Sequence, residues 1–293
     1  GLTITAFTGG TADPDVADAI AALGGEKQYH TIITGYADDA NMDVLEAEMD
    51  SRWSALRAIE GIVFGGFRGD YADSSTYGNA RNSAFSTVVA TSMSPTPPWC
   101  WAAVYGAVRA ASTTIDPARP LQYSPMPGLL PPLEADRFIR SERDLLLKDG
   151  MATVLINDAG QVSLERARCT YQVNASNVED ASYRDVETLS TLSYLRWSRR
   201  VRLATKFGKA KIADDGTNFD PGQLVVTPTV LRAEEIALYE EWERMGPVEN
   251  VDTFKSKLIV QRDPQDTGRM LVQHPPDLIN QLRVVATKMT FTL

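Results

Sequence analysis

Gly61–Gly66, GIVFGG, and Ser86–Ser92, STVVATS, decide how this chain reads. Both are short apolar runs without polar alternation, the pattern of strands covered on both faces. A helix-like segment follows each: Thr76–Ser86, TYGNARNSAFS, and Pro97–Ala111, PPWCWAAVYGAVRAA. The same pairing recurs upstream. Leu2–Phe7, LTITAF, precedes Asp13–Gly25, in which Pro14 suits a first helical position and Gly24 and Gly25 a stop. Tyr29–Thr34, YHTIIT, precedes Met42–Ile59. Four strand-then-helix units predict an α/β fold with a parallel, doubly wound sheet and helices on both faces.

Downstream, Thr113–Pro132 is proline-rich but carries Leu121, Tyr123, Met126, Leu129 and Leu130, so it reads as an ordered loop. Leu133–Gly150 predicts a helix with Phe138, Ile139, Leu145 and Leu146 inside and Gly150 as its stop. MATVLI, the turn NDAG and QVSLERARCTYQV predict a hairpin, and the first domain is expected to span 1–173. A second, α+β domain over 174–293 is expected to open on a helix from Asp180 to about Phe207, apolar at Val186, Leu189, Leu192, Leu195 and Val201. A further helix begins at Thr227 and Pro228, with Leu231, Leu238, Trp242 and Met245 on its stripe and Gly246 at its end.

The end of the sequence reads as strand. FKSKLIVQR puts Phe254, Ser256, Leu258 and Val260 on one face, and RVVATKMTFTL does the same for Val285, Met289, Phe291 and Leu293. A strand has unpaired amides and carbonyls along its edge, so this second run needs cover from its own chain or from a neighbour.

Composition excludes several classes. The chain has 293 residues, 43% apolar and 23% charged, and a net charge of −9. That charge opposes nucleic-acid binding, which needs a cationic surface. No apolar run reaches the roughly 18 residues of a membrane span. The opening Gly1 within a strand-like run reads as the start of a fragment or processed form. The acidity is uneven: residues 1–172 carry 13 basic and 21 acidic side chains, residues 173–293 carry 16 and 17. Arg196, Arg199, Arg200, Arg202, Lys206, Lys209 and Lys211 form a run without a carboxylate, while Glu234, Glu235, Glu240, Glu241 and Glu243 dominate the later helix. Either two helix faces complement each other within one subunit, or the basic strip meets an acidic partner.

Catalytic devices are absent from the sequence: no phosphate-cradling loop, nucleophile elbow or HExxH, and no cofactor motif. His30 and His274 lie in no motif that sets a nucleophile beside them, and no zinc spacing links them to Cys100 or Cys169. Cys100, between two tryptophans, reads as core. Asp39, Asn41, Asp43 and Asp50 echo a calcium loop, but Val44 stands where glycine is needed, so carboxylates at a helix N-terminus are the better reading. Arg68-Gly69-Asp70 reads as a turn after a strand.

The span 134–293 resembles the contractile tail sheath protein of Mu-like bacteriophages. The blocks carrying the resemblance are SERDLLLKDG (141–150), GQVSLERARCTYQVN (160–174), the stretch from Asp180 to Gly216, the stretch from Val225 to Asp263, and PPDLINQLRVVATKMTFTL (275–293). The likeness implies a subtilisin-like α/β domain without a protease triad, a structural role rather than an enzymatic one, and no metal or cofactor. It implies a virion protein, assembled in the host cytoplasm, that surrounds a tail tube in rings or a helix and contracts to drive the tube through the host envelope. The implied partners are copies of itself, the tube protein, and baseplate and tail terminator proteins. Family members carry a further N-terminal region with a linking arm, which this sequence lacks. In relatives, terminal arms add strands to a neighbour's sheet. On this reading Phe254, Leu258, Val260, Val285, Met289, Phe291 and Leu293 form the assembly site, and the strip from Arg196 to Lys211 faces the tube. A phage-derived bacteriocin or secretion sheath shares these features; an α/β hydrolase is the rival from another class.

Overall fold

The computed structural model describes residues 13–290. The chain divides into two compact units, Gly1–Ile115 with Leu121–Leu189, and Asp116–Pro120 with Ser190–Leu293.

The first unit is mixed α/β. In chain order it runs α1 (Ala17–Leu23), β1 (Thr31–Ile33), α2 (Asp39–Trp53), β2 (Ile62–Phe67), α3 (Tyr71–Asn79), β3 (Ser86–Ala90) and α4 (Pro98–Ile115). The strands pair in parallel in the order β1-β2-β3, with Ile32 opposite Val63 and Gly65 opposite Val88. Side chains alternate across a strand, so β2 and β3 feed two separate cores. Ile62, Phe64 and Val89 pack with Trp101 and Tyr105 of α4. Val63, Val88 and Ala90 pack with Met42, Leu45 and Met49 of α2. This explains why β2 and β3 are continuous apolar runs. The parallel sheet has three strands among the described residues; the expected first strand, LTITAF, lies outside them.

Helix boundaries depart from expectation where side chains cap. The helix expected over 76–86 starts earlier, because the Asp70 carboxylate accepts from the Asp73 amide at 2.9 Å, and stops at Asn79. Arg81 then turns to Asp39, Asp43 and Glu46 of α2, and Asn82 accepts from the amides of Gln172 and Val173. Two of the carboxylates that echoed a calcium loop, Asp39 and Asp43, are thus partners of one buried arginine, and Asp38 caps α2 by accepting from Asn41. Cys100 is half-exposed rather than core; it is Trp101 that is fully buried.

The approach of α4 to β2 needs a glycine. A Cβ on Gly66 would lie 2.3 Å from the Pro98 carbonyl oxygen, which belongs to backbone and cannot rotate away. Gly66→Ala is expected to lower stability by about 1–3 kcal/mol, read by urea unfolding. An unchanged midpoint would mean that the start of α4 yields freely.

Past α4, Leu121, Met126 and Leu129 are buried as expected, whereas Tyr123 and Leu130 are exposed. The helix expected over 133–150 is broken into a 3-10 turn, Glu134–Asp136, and α5 (Arg140–Lys148). The Ile139 amide is taken by Glu142 at 2.9 Å, so Ile139 caps the helix from outside and is exposed, as is Leu145; Leu146 fills the core position. Gly150, at φ 81°, ends it. The hairpin forms as β4 (Thr153–Ile156) and β5 (Val162–Arg166). The compact unit continues past the expected boundary at Val173 to Leu189, because Arg166 grips Asp185 at 2.7 and 2.8 Å and Val186 and Leu189 join the first core.

The second unit contains most of α6 (Val186–Phe207), then the short parallel pair β6 (Lys211–Ile212) and β7 (Val225–Val226), then α7 (Pro228–Met245), α8 (Val251–Lys257) and the antiparallel pair β8 (Ile259–Arg262) and β9 (Met270–Gln273). α6 starts at Val186 rather than Asp180, and its Val201 is half-exposed. α7 follows its sequence signals: Thr227 accepts from Val230, Pro228 is the first helical residue, and Gly246 ends it in the left-handed region at φ 94°. Its core consists of Leu195, Leu238, Tyr239, Trp242, Val248, Phe254 and Leu258; Met245 lies outside.

Candidate assembly surfaces

FKSKLIVQR is not one strand. Its first half is α8, and only Ile259–Arg262 is extended. Residues four apart share a face in a helix, and residues two apart do so in a strand, so Phe254 and Leu258 satisfy both patterns. The helix forms because Asn250 takes the left-handed conformation at φ 60° and the Val251 amide finds the Glu243 carboxylate at 3.0 Å. Phe254 is buried and stacked on Tyr239 at 3.8 Å, and Leu258 is buried beside it. Both are core residues, and Val260 packs partly against the same core.

What the hairpin presents outward was missed in the sequence. Val260 opposite Val272 faces the core, which leaves Ile259 and Leu271 on the other face, both exposed. The alternation in IVQR and RMLVQ was the available signal. Among the described residues the β8–β9 pair has no third strand. Two-stranded pairs are marginal alone, and their free edges are sites for strand addition.

From Pro275 onward the chain forms neither helix nor strand as far as Thr290. Among the described residues, positions 284–290 of the run expected to be a strand join no strand of their own chain, since periodicity supplies a face but not a partner. Leu282, Val284, Val285 and Met289 are 74%, 79%, 72% and 91% exposed. Phe291 and Leu293 lie outside the described residues. Just before this run the chain is anchored. The Glu249 amide donates to the Asp277 carbonyl at 3.0 Å, the Ile279 amide to the Pro247 carbonyl at 3.2 Å, and Leu278 bridges Val248.

The basic strip is largely the α6 side of an α6–α7 contact. Arg199 holds Glu235 through bonds of 2.9, 2.9 and 2.5 Å. Arg202 reaches Glu234 and Glu241 at 2.5 and 2.7 Å, and Lys206 reaches Glu234 at 2.6 Å. Arg196 and Arg200 also have partners. Lys211 donates to the neutral Gln223 at 2.6 Å, and Lys209 is exposed. The two helix faces therefore complement each other within this chain. Partial burial pushes the Glu234 carboxyl up, but Lys206 and Arg202 together hold it below the usual range.

Neither histidine forms a catalytic pair. His274 sits among Phe254, Trp242 and Tyr239, its Nε2 3.6 Å from the buried Glu235 carboxylate. Burial lowers its pKa to about 4; Glu235 acts against this and Arg199 with it. His30 faces Gln28 at 3.4 Å, and its pKa is lowered by burial and then by Arg109. Neither imidazole is hydrogen-bonded to a serine hydroxyl, and no cluster of metal-ligating side chains occurs among the described residues. No helix among them is long and apolar enough to cross a membrane.

Comparisons agree over both units. Residues 9–170 match the family model for the phage tail sheath protein central domain, and residues 178–292 that for the phage tail sheath C-terminal domain. Over 291 residues the chain is 40% identical to the Mu-like prophage FluMu tail sheath protein of Haemophilus influenzae, covering 99% of this chain and 59% of that protein's length. The fold is shared with the sheath tail protein of Listeria innocua at TM-score 0.63 and 15% identity, over 94% of this chain and 60% of that one. It is shared also with the contracted PVC sheath complex of an extracellular contractile injection system at TM-score 0.55 and 13% identity, over 84% and 68% of the two chains. With both family domains matched in order along nearly its whole length, this chain belongs to the phage tail sheath protein family.

Proposed function

We propose that this chain is part of the structural subunit of a contractile sheath. It packs with copies of itself around a tail tube and changes packing to drive the tube through a host envelope. The observation that carries the assembly mode is the pairing of two incomplete features in one unit. Leu282, Val284, Val285 and Met289 lie exposed on a run that forms no strand, and among the described residues the β8–β9 hairpin has edges without a third strand. Donation of the run to the hairpin of a second copy satisfies both. Each backbone hydrogen bond so formed contributes about 1 kcal/mol, and a row of them tolerates exchange of side-chain contacts elsewhere. Copies can then shift against one another without separating.

Support for contraction comes from relatives: the FluMu protein is a tail sheath protein, and the PVC complex is a sheath in the contracted state. The latter also favours a second reading, a sheath of a phage-derived injection machine rather than of a virion. In either case the partners are the tube, a baseplate and a terminator, and the first unit belongs with the subtilisin-like doubly wound sheets of other sheath subunits. For contact with the tube, Lys209 and Lys211 are better placed than Arg199, Arg202 and Lys206, whose charges are matched by α7.

The test is deletion of residues 281–293 from the intact protein. Polymerisation followed by light scattering should be abolished, with the thermal transition of the α/β unit unmoved. Sheaths of normal length and number from the truncated protein would refute strand donation.

A further inference from the structure

The exposed run does not hang from the end of β9. Between Gln273 and Leu282 the chain is tied down, and the tie is made of named groups. The Tyr239 hydroxyl donates to the Glu249 carbonyl at 2.7 Å and accepts from the Asp277 amide at 3.0 Å. Asn250 Nδ2 donates to the Asp277 carboxylate at 2.8 Å. The backbone bonds from Glu249 to Asp277 and from Ile279 to Pro247 close the knot, and Leu278 packs against the core. Tyr239 itself is fully buried and stacked face to face on Phe254, with the ring planes 8° apart. Asn250 is held at φ 60°, a conformation that asparagine tolerates better than most residues.

We propose that this knot of Tyr239, Asn250 and Asp277 is the fixed root of the donated strand. It positions the run for a second copy of this chain and keeps β9 and the core out of the exchange. The inference rests on the strand-donation reading above. Its physical content is order supplied in advance. With Ile279 fixed, a fully extended segment to Thr290 reaches about 36 Å, whereas a tail freed back to Gln273 reaches about 56 Å and must be ordered anew at every donation. Lengthening and loosening a tether both lower the effective concentration of its end at a fixed acceptor. A root at one place on every subunit also gives every link in the assembly the same length.

The test removes the two side-chain clasps and spares the fold. In Tyr239→Phe the ring stack stays and only the hydroxyl goes; Asn250→Gly keeps the left-handed conformation and loses the amide. In the free wild-type protein the amides of Asp277 and Ile279 should exchange hydrogen at least tenfold more slowly than those of residues 282–290. The double variant should lose that protection while the amides of α7 keep theirs. Its critical concentration for polymerisation should rise at least tenfold, and each single variant should fall between it and wild type. Wild-type polymerisation by a variant whose protection at 277–279 is gone would overturn the proposal. So would equally fast exchange across 277–290 in the wild type. If deletion of residues 281–293 leaves polymerisation intact, strand donation itself fails and the root loses its role; if only the clasp variants polymerise normally, donation stands and the root alone is refuted.

Discussion

Glu235→Ala should destabilise the second unit by about 3 kcal/mol, because it removes the fully buried partner of a guanidinium that is only 27% exposed. Glu235 is fully buried, and its two oxygens take every bond that Arg199 is seen to make to α7. Removing one partner of a buried pair leaves the other charge uncompensated, which costs far more than the pair contributes when intact. The double variant Glu235→Leu with Arg199→Met should therefore recover most of the loss, since it replaces both charges by apolar groups of similar volume. Urea unfolding of the two single variants and the double one measures the coupling directly. A single-variant loss below about 1 kcal/mol would mean that the pair is solvated as surface pairs are. The same geometry shows why charge reversal at Arg199 is a poor probe of contact with a tube. It would set a second carboxylate against the buried Glu235 and disturb the fold before any assembly step.

Acidification should weaken the same unit through His274. Its pKa is about 4 in the fold against 6.5 ordinarily, because burial among three aromatic rings disfavours the imidazolium. The unfolded chain therefore takes up a proton near pH 6.5, while the folded chain takes it up only near pH 4. Stability from this group is complete above pH 6.5, falls as the pH drops from 6.5 to 4, and is level below that. The total is about 3 kcal/mol. His274→Phe keeps an aromatic ring in the cluster and removes the titration. The difference in unfolding free energy between wild type and variant should then change by about 3 kcal/mol across that window. A difference that does not vary with pH would show that His274 is as wet as a surface histidine.

Much of this was legible in the sequence, and the exceptions share a cause. β2, β3 and α4 could be read because burial on both sheet faces leaves an unbroken apolar run, and α7 because Thr227, Pro228 and Gly246 act on their nearest neighbours. α8 could not, because Phe254 and Leu258 fit either periodicity and the deciding event, Asn250 turning left-handed, goes with a contact to Asp277 well downstream. The broken helix before α5 failed for a similar reason, with one glutamate side chain claiming the Ile139 amide. For the basic strip the sequence offered two outcomes. Only the folded pairing of Arg199, Arg202 and Lys206 with α7 distinguishes them, since the partners lie many turns apart along the chain. In the proposed assembly site, the alternation of Val285 and Met289 was visible, but the absence of a strand beside them among the described residues was not.

The uncovered apolar run also sets a kinetic demand. Under the strand donation proposed above, a newly made subunit would bear both a donor run and an open edge, so any two copies that collide could pair before a template orders them, and such pairs could propagate as fibres. Productive growth has to outrun that side reaction. On that proposal, free subunits would have to stay dilute, or growth would have to begin on a preformed platform that captures them first.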